Sequence, residues 1–258
     1  MRIVCTVSGG LASGYVAMMA LRDNPGAEVV LYFNDTGWEH DDLYRFLGDL
    51  EQVLRHPITT DSDGRNVEEL GYDNSALPND RTPFCSRELK AARLHRFVQD
   101  GDVIMFGIDA TERHRAQRLA QRYRKLAYDR SINLTLRFPL IEQNVTRAQI
   151  DAWYASVGIR RPVLYDLGFK HNNCAGGCVR QGKREWAHLY RTMPEVFADR
   201  ERVEREMSDY MGRTLSFMSS GLTLTALREQ IDAQPTLELL GDDDYSTPEC
   251  FGVCATQQ

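Results

Sequence analysis

Arg2-Ile3-Val4-Cys5-Thr6-Val7-Ser8-Gly9-Gly10-Leu11-Ala12-Ser13 is the stretch from which the fold is read. Residues 2–7 form a short β-rich run. Two adjacent glycines then break it, and a helical segment over 15–22 follows. Strand, glycine turn and helix in that order open an α/β unit. Glycines at such a turn let backbone N–H groups approach an anion closely, and the helix N-terminus adds a favourable dipole. Ser8 and Ser13 add hydroxyl donors. A plain strand-to-helix turn with Ser13 as its cap accounts for the same residues. The loop is neither the Walker pattern nor GxGxxG, because it lacks the lysine and its glycines are adjacent.

Working outward, Asn24-Pro25-Gly26 ends the first helix, and 28–33 (EVVLYF) reads as a strand buried on both faces. Residues 39–54 place apolar side chains at helical spacing. Asp61 to Gly64 reads as a loop, 66–72 as a short helix and 86–98 as a longer one. Residues 103–108 (VIMFGI) form another strand, 111–126 a basic helix, 133–140 a strand and 146–157 a helix with Thr146 as its cap. Alternating strands and helices predict a parallel sheet with crossover helices. After about Ile159 the pattern changes to glycines and cysteines, then to helix over 185–211 with a break near Pro194. The division predicted is an α/β domain over 1–158 and a mostly helical, cysteine-bearing extension over 159–258.

Composition sets the outer bounds. The chain has 258 residues, 42% hydrophobic and 26% charged, with a net charge of −6. Those values exclude collagen, coiled coil and wholesale disorder. The acidic balance argues against a non-specific DNA coat, but leaves room for a local basic patch. No apolar run approaches a membrane span and no signal peptide is evident, so the expected compartment is the cytoplasm. The six cysteines are then read as metal or redox chemistry before disulfides.

Asp35 and Glu39 follow the second strand, at the edge where open α/β sheets bind ligands. Asp35 could hold Mg²⁺ or a ribose hydroxyl. Asp35 or Thr36 could equally cap the next helix. Cys5 lies inside the first strand and reads as core. Cys174/Cys178 and Cys250/Cys254 both have CxxxC spacing, the first rich in glycine, which suits thiolate ligation of zinc or an iron–sulfur centre. The helix from Arg113 to Arg130 carries seven basic residues against the single acid Asp129. It could contact nucleotide phosphates or a nucleic-acid backbone, or simply be a solvated face. His114 reads as a loop residue, and His171 as a neighbour of the cysteine pair.

Ser8-Gly9-Gly10-x-x-Ser13 after the first strand resembles the PP-loop of the ATP pyrophosphatase (adenine nucleotide alpha hydrolase) superfamily, with Ala12 where the usual pattern has Asp. Asn34-Asp35-Thr36-Gly37-Trp38-Glu39, Cys85-Ser86-Arg87-x-x-Lys90, Gly107-Ile108 with Glu112 and Arg115, and Asn173-Cys174-x-x-x-Cys178 are similar, in order, to segments of the phosphoadenosine phosphosulfate (PAPS) reductase family. The resemblance covers roughly residues 3 to 200. It implies a Rossmann-like parallel sheet with flanking helices. It implies ATP or another adenine nucleotide held by Ser8, Gly9, Gly10, Ser13, Asp35, Thr36, Gly107, Glu112 and Arg115.

The resemblance further implies a [4Fe–4S] cluster, with zinc as the alternative, on Cys85, Cys174, Cys178 and a tail cysteine, Cys254 or Cys250. Phe84 stands where the family has a second upstream cysteine. Asp35, Lys90 and Cys250 are the implied catalytic residues; Glu249-Cys250 is similar to the family's terminal Glu-Cys-Gly, with Phe251 intervening. The activity expected is adenylation-linked sulfur transfer to a nucleic-acid or small-molecule acceptor. Sulfonucleotide reduction releasing sulfite is the second expectation, and a non-catalytic nucleotide- or DNA-binding subunit the third. A sulfur donor or redox protein would be the partner of either enzyme.

Overall fold

The computed structural model describes residues 1–234. Five parallel strands form one sheet in the order β3-β2-β1-β4-β5. They are β1 (Arg2–Thr6), β2 (Glu28–Asp35), β3 (Ile58–Ser62), β4 (Asp102–Met105) and β5 (Leu134–Arg137). The helices through the sheet region are α1 (Leu11–Asp23), α2 (Asp41–Leu54), α3 (Val67–Asn74), α4 (Ala92–Phe97), α5 (Arg113–Arg130), α6 (Pro139–Glu142) and α7 (Arg147–Val157). Beyond them come α8 (Val163–Asp166), α9 (Lys183–Thr192), α10 (Pro194–Met211) and α11 (Leu224–Ala233).

The strands are continuously apolar because both sheet faces are covered. Side chains alternate between those faces. Ile3 and Cys5 of β1 and Leu31 and Phe33 of β2 pack with Val16 of α1, Phe46 of α2 and Ile150 of α7. Val4, Tyr32 and Ile104 point the other way, onto Leu94 of α4 and Leu119 and Tyr123 of α5. A third cluster joins Trp186, Phe197, Met207 and Leu227 of the C-terminal helices and Phe217 of the connection between α10 and α11 to Trp38, Leu70, Phe84 and Leu89 of the first part. Trp186 is fully buried in this third cluster.

Several expectations shift. Residues 58–62 are an edge strand, whereas only a loop over 61–64 was expected; its exposed pattern leaves no apolar alternation to read. The 86–98 helix opens as a π-helical turn (Ser86–Ala91) that continues into α4. The strand expected over 133–140 stops at Arg137, because Pro139 opens α6. Thr146 caps α7 in a full capping box. Thr36 does not cap α2; the His40 Nδ1 accepts from the Asp42 N–H at 3.0 Å instead. Ser13 is not the cap of α1, whose N-cap residue is Gly10. His114 lies on α5, not in a loop. None of the described helices is long and apolar enough to cross a membrane.

Candidate functional site

β1 is flanked by β2 on one side and β4 on the other, so the chain reverses its winding direction there. The crevice outside the carboxyl ends of such strands is where open α/β sheets hold ligands. Ser8, Gly9, Gly10 and Ser13 occupy that point. Gly9 has φ +80, and a Cβ on it would stand 2.6 Å from Leu43 Cδ1, so the turn needs glycine on two counts. The Ser13 hydroxyl donates to the Gly10 carbonyl at 2.8 Å and accepts from the Ser8 N–H at 3.0 Å. The Ser8 hydroxyl lies 3.1 Å from the same oxygen. Ser13 is fully buried, so it braces the loop, while the half-buried Ser8 remains at its rim. No side chain caps α1, and no acid lies in its first turn, where Ala12 stands. Its first N–H groups therefore remain suited to a phosphate.

Three neighbours hold the loop and the start of α1 in place. Gly107, just past β4, sits so close to α1 that a Cβ would be 2.6 Å from Ser13 Cα. The Asn172 amide donates to the Gly9 carbonyl at 2.8 Å. On the far side, the Tyr154 hydroxyl donates to the Leu11 carbonyl at 2.9 Å.

Asp35 ends β2 and shapes the following turn. Its Oδ1 accepts from the Gly37 N–H at 2.8 Å, and the Tyr44 hydroxyl reaches both carboxylate oxygens at 3.0 Å. Burial first, and the Asp35 carboxylate next, push the Tyr44 phenol well above its ordinary value, so it stays a donor. Thr36 is buried and donates to Glu39 Oε1 at 3.0 Å. The buried Lys90 ammonium lies 3.3 Å from that oxygen, while Glu39 Oε2 accepts from the Cys174 N–H at 2.7 Å. Glu39 thus joins three segments distant in sequence: the turn after β2, the π-helical turn and the cysteine loop. Glu112 and Arg115 pair with each other at the start of α5.

The cysteine loop is tightly wound. Cys174, Ala175 and Gly176 all have left-handed backbone, with φ of 49, 50 and 80. The two non-glycine residues there carry strain of roughly 1–3 kcal/mol each. This curl lets the Cys174 and Cys178 side chains hydrogen-bond to each other. That bond, burial and the nearby Glu39 push the Cys174 thiol well above its ordinary range, against a lowering effect of Lys90.

Arg200 of α10 was not anticipated. It is 5% exposed, its guanidinium lies 3.7 Å from the Trp38 ring centroid, and it pairs with Asp199 at 2.6 Å. A Cβ on Gly177 would stand 3.2 Å from its Nε, so this cation lies directly against the cysteine loop. Burial lowers its pKa, while Asp199, Cys174 and Glu39 oppose that shift.

Cys85 is buried within the hydrophobic cluster that contains Trp186. Among the described residues no three His, Cys, Asp or Glu side chains gather in a metal-holding group. Cys174 and Cys178 alone are two ligands, so the described residues do not by themselves fit a [4Fe–4S] or zinc site. Cys250 and Cys254 lie outside the described residues. On α5, Arg113, Arg118 and Arg124 are exposed but spread around the helix, whereas Arg115 turns inward and Lys125 pairs with Asp129 at 2.9 Å.

Residues 2–179 match the family model described as the phosphoadenosine phosphosulfate reductase domain. Among solved structures, the chain is similar to phosphoadenylyl-sulfate (PAPS) reductase from Candida auris, in a phosphate complex. The identity is 16%, over 66% of this chain and 80% of that one, with a TM-score of 0.46. No curated protein sequence matches the chain.

Proposed function

The chain belongs to the phosphoadenosine phosphosulfate reductase family, and from that premise we propose that it binds an adenine sulfonucleotide and reduces it to sulfite. The nucleotide phosphates would rest on the Ser8–Gly10 backbone and the N-terminus of α1. The observation that carries this reading is that the cysteine segment is tied both to the Ser8–Gly10 loop and to the turn after β2. Asn172, two residues before Cys174, holds Gly9. Glu39, beside the β2 turn, holds the Cys174 N–H and faces Lys90. Lys90 and Arg200 supply positive charge near that junction, where an anionic sulfonate would be stabilised.

Cys174 is held as a neutral thiol by its surroundings, and a thiolate is the better nucleophile. The proposed nucleophile is Cys250, on the resemblance of Glu249-Cys250 to the family's terminal Glu-Cys-Gly. Its thiolate attacks the sulfonate sulfur, an S–S bond forms, and the S–O bond to the nucleotide phosphate breaks. A thiol of a dithiol redox protein then attacks the cysteine sulfur. Sulfite leaves with the electron pair and a mixed disulfide forms; the second thiol of the redox protein opens it, freeing the Cys250 thiolate and leaving the redox protein's two thiols as a disulfide. The sulfur is reduced by two electrons and the thiols lose two.

A second reading is adenylation followed by sulfur transfer to a nucleic acid. It is favoured by one observation, the exposed Arg113, Arg118 and Arg124 of α5, a helix that begins beside Glu112 at the same sheet edge.

The deciding experiment offers the protein PAPS or adenosine phosphosulfate with a dithiol reductant, and ATP with labelled pyrophosphate. Sulfite release that disappears in Cys250→Ser is the result expected. Pyrophosphate exchange without sulfite would establish adenylation instead. Nucleotide binding without either reaction would leave a binding subunit.

A further inference from the structure

The peptide between Gly9 and Gly10 has glycine on both sides, so no side chain of its own resists its rotation. The C=O and N–H of a trans peptide point in opposite directions. Such a peptide can turn either group to a ligand. The Gly10 N–H attracts a phosphate, whereas the Gly9 carbonyl oxygen repels it. One side chain makes the choice. Asn172 is 5% exposed, and its Nδ2 donates to the Gly9 carbonyl at 2.8 Å. The Gly10 N–H, on the opposite side of that peptide, meets no acceptor among the described residues.

Asn172 also belongs to the cysteine segment. Asn173, between it and Cys174, is extended, with φ −151 and ψ 150. A displacement of the Cys174 backbone therefore passes to Asn172 with little slack. Cys174 is itself fixed by its N–H bond to Glu39 Oε2 at 2.7 Å. Beyond it the loop is enclosed, since a Cβ on Gly176 would stand 2.7 Å from the Phe169 ring. A left-handed Cys174 and Ala175 persist only while such surroundings determine them.

We propose that Asn172 is a positioning residue that turns the Gly10 N–H toward the nucleotide phosphate, and that through it the ordering of the cysteine loop regulates nucleotide affinity. The inference rests on the reading of Ser8–Gly10 as the nucleotide loop. An ordered cysteine loop keeps the Gly9 carbonyl turned away from the phosphate. A bound phosphate in turn favours the peptide orientation that Asn172 bonds, so the coupling is reciprocal. An ionised aspartate at 172 has nearly the size of asparagine but only acceptors to set against the Gly9 carbonyl.

The test is calorimetric titration of the full chain with AMP and with adenosine 3′,5′-bisphosphate, for wild type, Asn172→Ala and Asn172→Asp. Hydrogen–deuterium exchange over 172–178 is then followed with and without the tighter nucleotide at saturation. Urea unfolding checks that the variants fold, and Asn172→Asp, which opens no cavity, serves where Asn172→Ala does not. The expected result is an affinity loss of about tenfold in Asn172→Ala and a larger one in Asn172→Asp. Nucleotide slows exchange over 172–178 in wild type and fails to do so in either variant, even at saturation. A side chain that only filled space would leave that transmission intact. Unchanged affinity in both variants, equal protection of 172–178 in variants and wild type, or no protection in wild type would each overturn this inference alone. If neither nucleotide binds wild type, the nucleotide reading falls and this inference with it.

Discussion

Gly107→Ala tests whether close backbone approach builds the nucleotide loop. Gly107 is not in a left-handed conformation, so the substitution meets no conformational penalty from φ. What it meets is backbone. The added Cβ would lie 2.6 Å from Ser13 Cα, 2.7 Å from Ser13 N and 2.9 Å from Ala12 C. Carbon atoms in contact prefer about 3.5–4.0 Å. The overlap is about 1 Å, against atoms that have no rotamer in which to retreat. Either the end of β4 or the first turn of α1 must move.

Such overpacking costs about 1–3 kcal/mol, and the rigid neighbours place this case at the upper end. The displaced turn carries the N–H groups proposed to face the nucleotide phosphates, and a misplacement near 1 Å can cost on the order of 10² in function. Urea unfolding should therefore show a loss of about 3 kcal/mol, and calorimetry with an adenine nucleotide a loss of at least about tenfold in affinity. Gly48→Ala is the control: nothing lies within 4 Å of its Cβ, and it sits inside α2. It should gain up to about 1 kcal/mol from helix propensity alone. Wild-type stability and nucleotide affinity in Gly107→Ala would refute the reasoning, because the loop would then not depend on the approach of β4.

Two further outcomes follow from the buried charges. Glu39→Gln should cost about 3–5 kcal/mol, because Lys90 loses its buried counter-charge, and Glu39→Gln with Lys90→Met should cost clearly less than the sum of the single changes. Additive losses in urea unfolding would show the pair to be uncoupled. Glu204 is held by the Phe217 N–H at 2.9 Å and the Leu224 N–H at 2.5 Å, yet burial raises its pKa to about 7 from an ordinary 4.5. A raised carboxyl pKa means that the folded state binds the proton more tightly. The contribution is complete below pH 4.5 and declines as pH rises to 7, by about 3 kcal/mol in total. Unfolding free energies across that window should fall more steeply in wild type than in Glu204→Gln; parallel curves would contradict the assignment.

The sheet was legible where burial on both faces wrote itself into the residues. In β1, Val4 faces one helical layer and Ile3 and Cys5 the other, so all three had to be apolar. β3 left no such trace. It pairs with β2 through backbone, from Leu31↔Ile58 to Asp35↔Ser62, and none of its side chains is fully buried. Backbone pairing at a sheet edge imposes no side-chain alphabet. The π-helical turn over Ser86–Ala91 was read as ordinary helix for a related reason. One extra residue in a turn shifts the phase of the pattern without changing its composition. That shift buries Ser86, Leu89, Lys90 and Ala91 together and carries Lys90 to Glu39.

In the site, the glycines were legible and the long-range ties were not. Gly9 and Gly107 are required by geometry that recurs wherever backbone meets phosphate or backbone. Glu39 and Asp35 looked alike as carboxylates after a strand, yet the first is a buried junction and the second a turn residue. Only the partners distinguish them, and those come from distant parts of the chain. Arg200 is the more instructive omission, since its signal was present. The buried face of α10 runs Phe197, Arg200, Val203, Glu204 and Met207, a helical stripe with two charged residues on it. Arg and Glu elsewhere on α10 fit a solvated face, but a charge on the stripe has to find a partner in the interior. Glu204 finds two backbone N–H groups, and Arg200 finds Trp38 and Asp199 beside the cysteine loop. Charges that fall in register with an apolar stripe therefore mark networked positions, and in this chain one of the two lies at the candidate site.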